Sequence, residues 1–149
     1  MTRGAIAAGV VLALASGCEC RPLLASHWRD LGIRCDEDSP FGADRADRVV
    51  LEDRAALVDF LRRDCNRASV SPPVPEVDFD RNVVIVEATT SPLSPGDCVA
   101  GREVAEVHAC LDGVALLYDD QRDPDCTPRR ITGSASVRRE DVRGPFSAR

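Results

Sequence analysis

A chain of 149 residues, 44% hydrophobic and 30% charged, has the length and composition of one folded domain with a modest core. Its formal net charge is −6, and all 19 basic residues are Arg. Such an acidic balance excludes the broad positive surface that binds phosphate backbones by releasing counterions, so nucleic acid is not expected as a partner.

The first elements are a leader and its end. Arg3 supplies a positive start, and Ala5 to Ala15 is an unbroken run of apolar residues and Gly. That run is too short to cross the roughly 30 Å hydrocarbon layer of a bilayer as a helix. It has the length of the apolar region of a secretory signal peptide. Small residues follow, and Leu14-Ala15-Ser16-Gly17-Cys18 resembles the lipobox of bacterial lipoproteins, with Ala15 where the pattern prefers Leu. The resemblance implies cleavage after Gly17 and acylation of Cys18 by chains such as palmitate. The chain would then be held on a membrane by that lipid. In the sorting pattern of such lipoproteins an Asp after the acylated Cys retains the protein in the inner membrane. Glu19 stands there instead, which points to the outer membrane of the cell envelope.

Residues 18–30 read as the lipidated N-terminus and a tether. A single domain is expected over 31–143, after the signal peptide 1–17 and before a flexible tail, 144–149. The segment His27 to Cys35 alternates loosely and can hold a first strand. Asp36 to Asp47 is acidic, contains Pro40 and Gly42, and reads as a loop. Arg48-Val49-Val50-Leu51 is a short strand. From Glu52 to Asn66, the spacing of Leu51, Ala55, Val58, Leu61 and Cys65, widened by Leu57, predicts a helix that covers one face of a sheet. Glu52 and Asp53 suit its positive N-terminal end, and Arg62 and Arg63 its C-terminal end.

Ser71 to Pro75 carries three prolines and must be extended. Val83 to Ala88 is the strongest strand. Its β-branched residues fall on both faces, as in a strand buried on two sides. Thr89 to Asp97, with Pro92, Pro95 and Gly96, is a loop. Arg102 to Cys110 and Val114 to Tyr118 flank Asp112-Gly113, a dipeptide suited to a tight hairpin turn. Ile131 to Arg139 is the last strand. The expected fold is α+β: a small antiparallel sheet with one main helix on a face, stapled by disulfides.

Seven cysteines stand at 18, 20, 35, 65, 98, 110 and 126. With Cys18 taken by lipid, six remain, an even number that reads in an exported chain as a disulfide framework with fifteen possible connectivities. Pairing about the hairpin turn brings Cys98 and Cys126 to the same open end, so these two are expected to bond. The other four are then expected to pair as Cys35–Cys65 and Cys20–Cys110.

The order of features is familiar. A short strand, RVVL, precedes the helix EDRAALVDFL; a proline-rich approach leads to Val77-Asp78-Phe79 and the strand; a Pro/Gly loop and a hairpin follow. Over residues 45–142 this resembles the PrcB C-terminal-type domain of bacterial lipoproteins and secreted proteins, most specifically in VDFDRNVVIVEA. Ser94-Pro95-Gly96-Asp97-Cys98 departs from the family's Gly-Gly-Tyr element. The resemblance implies a small α+β domain that serves protein association, and it carries over no catalytic residue.

Candidate chemistry is sparse. His27 and His108 are the only histidines, no Gly-x-Ser-x-Gly elbow exists, and there is no phosphate or dinucleotide glycine pattern. No Cys-x-x-Cys pair of the kind metal sites favour exists, and neither a metal nor a cofactor is expected. Asp119 to Asp125 holds four carboxylates that could serve calcium, although Arg122 within the stretch opposes it. The expected function is a non-catalytic protein-interaction module, lipid-anchored, acting on another envelope protein. The alternative is a protease inhibitor or regulator that presents the stiff loop 89–97, stapled at Cys98.

Overall fold

The computed structural model describes residues 20–36, 38–43, 47–65, 73–90, 99–123 and 130–142. Its strands are β1 (Arg21–Pro22), β2 (Trp28–Asp30), β3 (Asp47–Leu51), β4 (Asn82–Thr90), β5 (Val99–Cys110), β6 (Gly113–Arg122) and β7 (Arg130–Arg138). Helix α1 (Arg54–Phe60) lies between β3 and β4 and continues as a wider π-type turn over Leu61–Cys65. The fold is α+β with antiparallel strands, as expected, but the strands divide into two sheets. One is three-stranded in the order β1-β5-β6; the other is four-stranded in the order β2-β7-β4-β3.

The β-branched run of β4 explains why there are three layers. Val83, Val84, Ile85 and Val86 are all fully buried. Successive side chains on a strand point to opposite faces. Val84, Val86 and Ala88 therefore meet Leu57, Phe60, Leu61 and Cys65 of the helix. Val83 and Ile85 meet Val104, Val107, Val114 and Leu116 of the three-stranded sheet. The four-stranded sheet is thus the middle layer, with the helix on one face and the hairpin on the other.

The helix starts at Arg54, two residues later than expected, because Asp53 caps it. The Asp53 carboxylate accepts from the Ala56 backbone N–H at 2.7 Å and satisfies one of the unpaired amides of the first turn. Its buried stripe is Leu57, Phe60, Leu61 and Cys65. Ala55, expected to face the sheet, is exposed, and Val58 is only half-buried. The π-type turn supplies the extra residue that keeps Cys65 on the stripe.

The loop expected from Asp36 to Asp47 is partly core. Phe41 is buried edge-on against Phe60, with ring centroids 4.9 Å apart. The Asp36 and Phe41 amides donate to the Cys65 and Asp64 carbonyls, which the end of the helix leaves free. Gly42 sits at φ +70 with its Cα against Ala88. A Cβ there would lie 2.4 Å from the Ala88 Cβ, so only glycine fits.

Two other expectations are corrected. The first strand read within His27 to Cys35 is β2, Trp28–Asp30, paired with β7, whereas Arg21–Pro22, read as tether, pairs with β5. That two-residue strand is too short to show a period in sequence, and its partner holds it. The hairpin turn is Leu111-Asp112, with Cys110 opposite Gly113, two residues out of the expected register. Bulges after Val99 and after Val104 shift it further, leaving Val99 opposite Arg122. The expected domain end at residue 143 and the tail 144–149 lie outside the described residues.

Candidate functional site

Of the seven cysteines, four are placed and paired. Cys20 is bonded to Cys110, with Cα atoms 4.2 Å apart, and Cys35 is bonded to Cys65, at 4.3 Å. The first bridge extends the β1–β5 pairing, since Arg21 lies opposite Ala109 and Cys20 therefore meets Cys110. The second ties the loop after β2 to the end of the helix. Cys18, Cys98 and Cys126 lie outside the described residues, as does the loop 91–98 that the inhibitor reading needs.

A polar network lies between the two sheets. On the hairpin-facing side of β4, the apolar Val83 and Ile85 give way to Glu87 and Thr89. Arg102 on β5 grips Asp120 on β6 with two hydrogen bonds, Nε to Oδ1 at 2.6 Å and Nη2 to Oδ2 at 2.7 Å. Its third nitrogen donates to Thr89 Oγ1 at 3.2 Å, and its guanidinium carbon lies 4.4 Å from the centre of the Tyr118 ring. Tyr118 Oη donates to Glu87 Oε2 at 2.5 Å, and Arg48 pairs with Glu87 Oε1 at 3.1 Å. Arg48 also donates to the Val114 carbonyl at 2.5 Å.

Gly133 on β7 makes this possible. A Cβ there would fall 2.1 Å from the Tyr118 ring, so its missing side chain is the space the ring occupies. The electrostatics follow from the contacts. Hydrogen bonding to Asp120 raises the Arg102 pKa further above its already high value, against the lowering effect of burial. Burial, then the bond to Glu87, raises the Tyr118 phenol well above the ordinary tyrosine range. A phenol so held is a donor at every physiological pH and cannot serve as a base. Among the described residues, no buried side-chain nitrogen or oxygen lacks a partner. This network docks one sheet on the other; its groups are spent on each other.

The acidic stretch Asp119 to Asp125 is likewise divided. It runs as strand to Arg122, so Asp119 and Asp120 point to opposite faces, and Asp120 is committed to Arg102. Asp125 lies outside the described residues.

His108 sits half-buried on β5, with Nε2 2.7 Å from Glu106 Oε2. His27 Nδ1 is 2.8 Å from Asp141 Oδ2, and Glu140 lies close enough that one atom from each of the three side chains falls within 4.8 Å of the others. Nothing in the sequence signals that cluster. The two ends meet because Trp28 pairs with Val137, which sets His27 beside the turn that follows β7. Arg139 pins that turn by donating to the Phe79 carbonyl at 2.8 Å and to the Glu52 carbonyl. Glu140 is mostly exposed and also pairs with Arg138 at 3.3 Å. Among the described residues each histidine is bonded to a carboxylate, His27 to Asp141 and His108 to Glu106.

Compared with known proteins, the chain matches no family model, no curated protein and no solved structure.

Proposed function

We propose that this chain is a lipid-anchored, non-catalytic interaction module of the bacterial cell envelope, attached through Cys18 and acting by contact with another envelope protein. The observation that carries this reading is the Cys20–Cys110 bridge. Disulfides persist in oxidising compartments outside the cytosol, which agrees with the export signal that precedes Cys18. The bridge also fastens the chain two residues behind the proposed lipid, so an anchored domain would be held close to its membrane.

Support for a non-catalytic role comes from how the polar groups are used. The Arg102 network joins two sheets, and each histidine is bonded to a carboxylate. The resemblance to the PrcB C-terminal-type domain adds protein association as the expected activity. The outer membrane is the proposed location, on the identity of Glu19.

Fractionation of cells that express the full chain tests the anchor. The intact chain is expected in the membrane fraction with acyl mass on Cys18, and Cys18→Ser is expected in the soluble periplasm. An unchanged distribution of Cys18→Ser would count against the lipid. Cross-linking in intact cells tests the contact, with one defined partner expected at near-stoichiometric yield. A chain that is anchored but cross-links to nothing would remove the interaction and leave the anchor.

A further inference from the structure

Among the described residues, the hairpin tip lies beside Cys20, two residues from the proposed lipid. Two residues of extended chain span at most about 7 Å, so Cys18 lies within that reach of Cys20. The Cys20 and Cys110 Cα atoms are 4.2 Å apart across their disulfide, and the next residue after Cys110 is Leu111 at the turn. Leu111 is the most exposed large hydrophobic residue among those described, at 79%. A solitary exposed leucine has no special meaning in itself. This one stands at the turn of a two-stranded arm whose tip is cross-linked, through Cys110, to the segment that carries the proposed lipid.

The exposed charges near the tip are of both signs, Arg21 beside the bridge and Asp112 in the turn. Arg21, opposite Ala109, is exposed one residue from the bridge, placed to meet a headgroup phosphate. The other exposed leucines are set back. Leu24 (68% exposed) follows Leu23, whose amide bonds to the Val107 carbonyl, and Leu117 (43%) lies on the strand opposite Glu106. At about 3.4 Å per strand residue, both stand on the order of 10 Å or more back from the tip.

We infer that the β5–β6 tip is the membrane-seated end of the domain. Leu111 enters the lipid interface beside the acyl chains on Cys18, and the Cys20–Cys110 bridge fixes the domain upright on that point. The inference rests on the proposed acylation of Cys18. Anchored upright, the domain presents the opposite, open end of the hairpin away from the membrane, where a partner can reach it.

Tryptophan depth quenching tests it with the acylated full chain in phosphatidylcholine vesicles whose acyl chains are brominated near the headgroup. The chain has one Trp, the half-buried Trp28, whose emission is subtracted as a constant background. Three variants are compared: Leu111→Trp, Leu24→Trp and Leu117→Trp. Loss of the added emission from Leu111→Trp alone is the expected result. If all three are quenched alike, or Leu111→Trp is unquenched while the protein stays bound and acylated, the upright seating is overturned and the anchor stands. If mass analysis of the same preparation finds no acyl group on Cys18, both the anchor and the seating fall.

Discussion

The two faces of β4 do different work with the same backbone. Toward the helix, Val84, Val86 and Ala88 join an apolar cluster, flanked on β7 by Ser134, whose hydroxyl accepts from the Ile33 amide at 2.8 Å. Toward the hairpin, Val83 and Ile85 also join an apolar cluster, but Glu87 and Thr89 then continue the row into the Arg48, Arg102, Tyr118 and Asp120 network. The helix face is held by area removed from water, which is strong and tolerant of shape. The hairpin face adds directional bonds, which contribute less net free energy but fix how one sheet sits on the other.

That difference can be broken most forcefully on the helix side. Leu57→Ala deletes a fully buried side chain and is expected to destabilise the fold by about 2–5 kcal/mol, the range for cavity-forming core changes. Denaturant titration would read it as a lower midpoint with an unchanged slope. A loss below 1 kcal/mol would mean that the helix is not part of the cooperative core.

On the hairpin side, Arg102→Ala leaves Asp120 and Tyr118 without their cation. The expected cost is about 1–3 kcal/mol, toward the lower end because the Asp120 carboxylate keeps some access to water. The same titration measures it. A double-mutant cycle with Asp120→Asn should show coupling, whereas Arg102→Ala paired with Leu57→Ala should be additive.

Tyr118→Phe removes one hydroxyl and is expected to cost about 0.5–3 kcal/mol, depending on how fully Glu87 is rehydrated. It also predicts a pH dependence. The folded phenol titrates above the unfolded one, so its stabilising contribution is complete below the ordinary tyrosine pKa of about 10 and declines as pH rises beyond it. Since Tyr118 is the only tyrosine, phenolate absorbance should appear only as the chain unfolds. A phenolate that forms while the fold is intact would contradict the buried bond to Glu87. The alkaline decline from this group should be absent in Tyr118→Phe.

The smallest effect is expected at the edge of the helix. Asp53→Ala removes the N-cap bond and should cost about 1 kcal/mol. Asp59→Ala, which breaks only the exposed pair with Arg63, should cost roughly 0–0.5 kcal/mol.

Legibility in the sequence followed the range of the interaction. The helix could be read because its stripe repeats within a few residues, although the stripe centred on Leu57 and Phe60 rather than on Ala55 and Val58. The hairpin could be read from its turn residues, but its register could not, since the two bulges leave no compositional mark. The Arg102–Asp120 grip depends on that register. His27 and Asp141 stand 114 residues apart, and nothing local announces their meeting. Arg21–Pro22 looked like a tether because a two-residue strand carries no period of its own.

By itself, the sequence determined the class of the fold, the two-sided burial of β4 and the helix that covers one side. Each of these is written in local periodicity and in the free energy of burying β-branched residues. Only the tertiary structure decided that the strands split into two sheets, that Gly133 yields its place to the Tyr118 ring, and that Arg102 meets Asp120. These depend on which distant segments share a surface, and that choice is made by the packing of the whole chain at once.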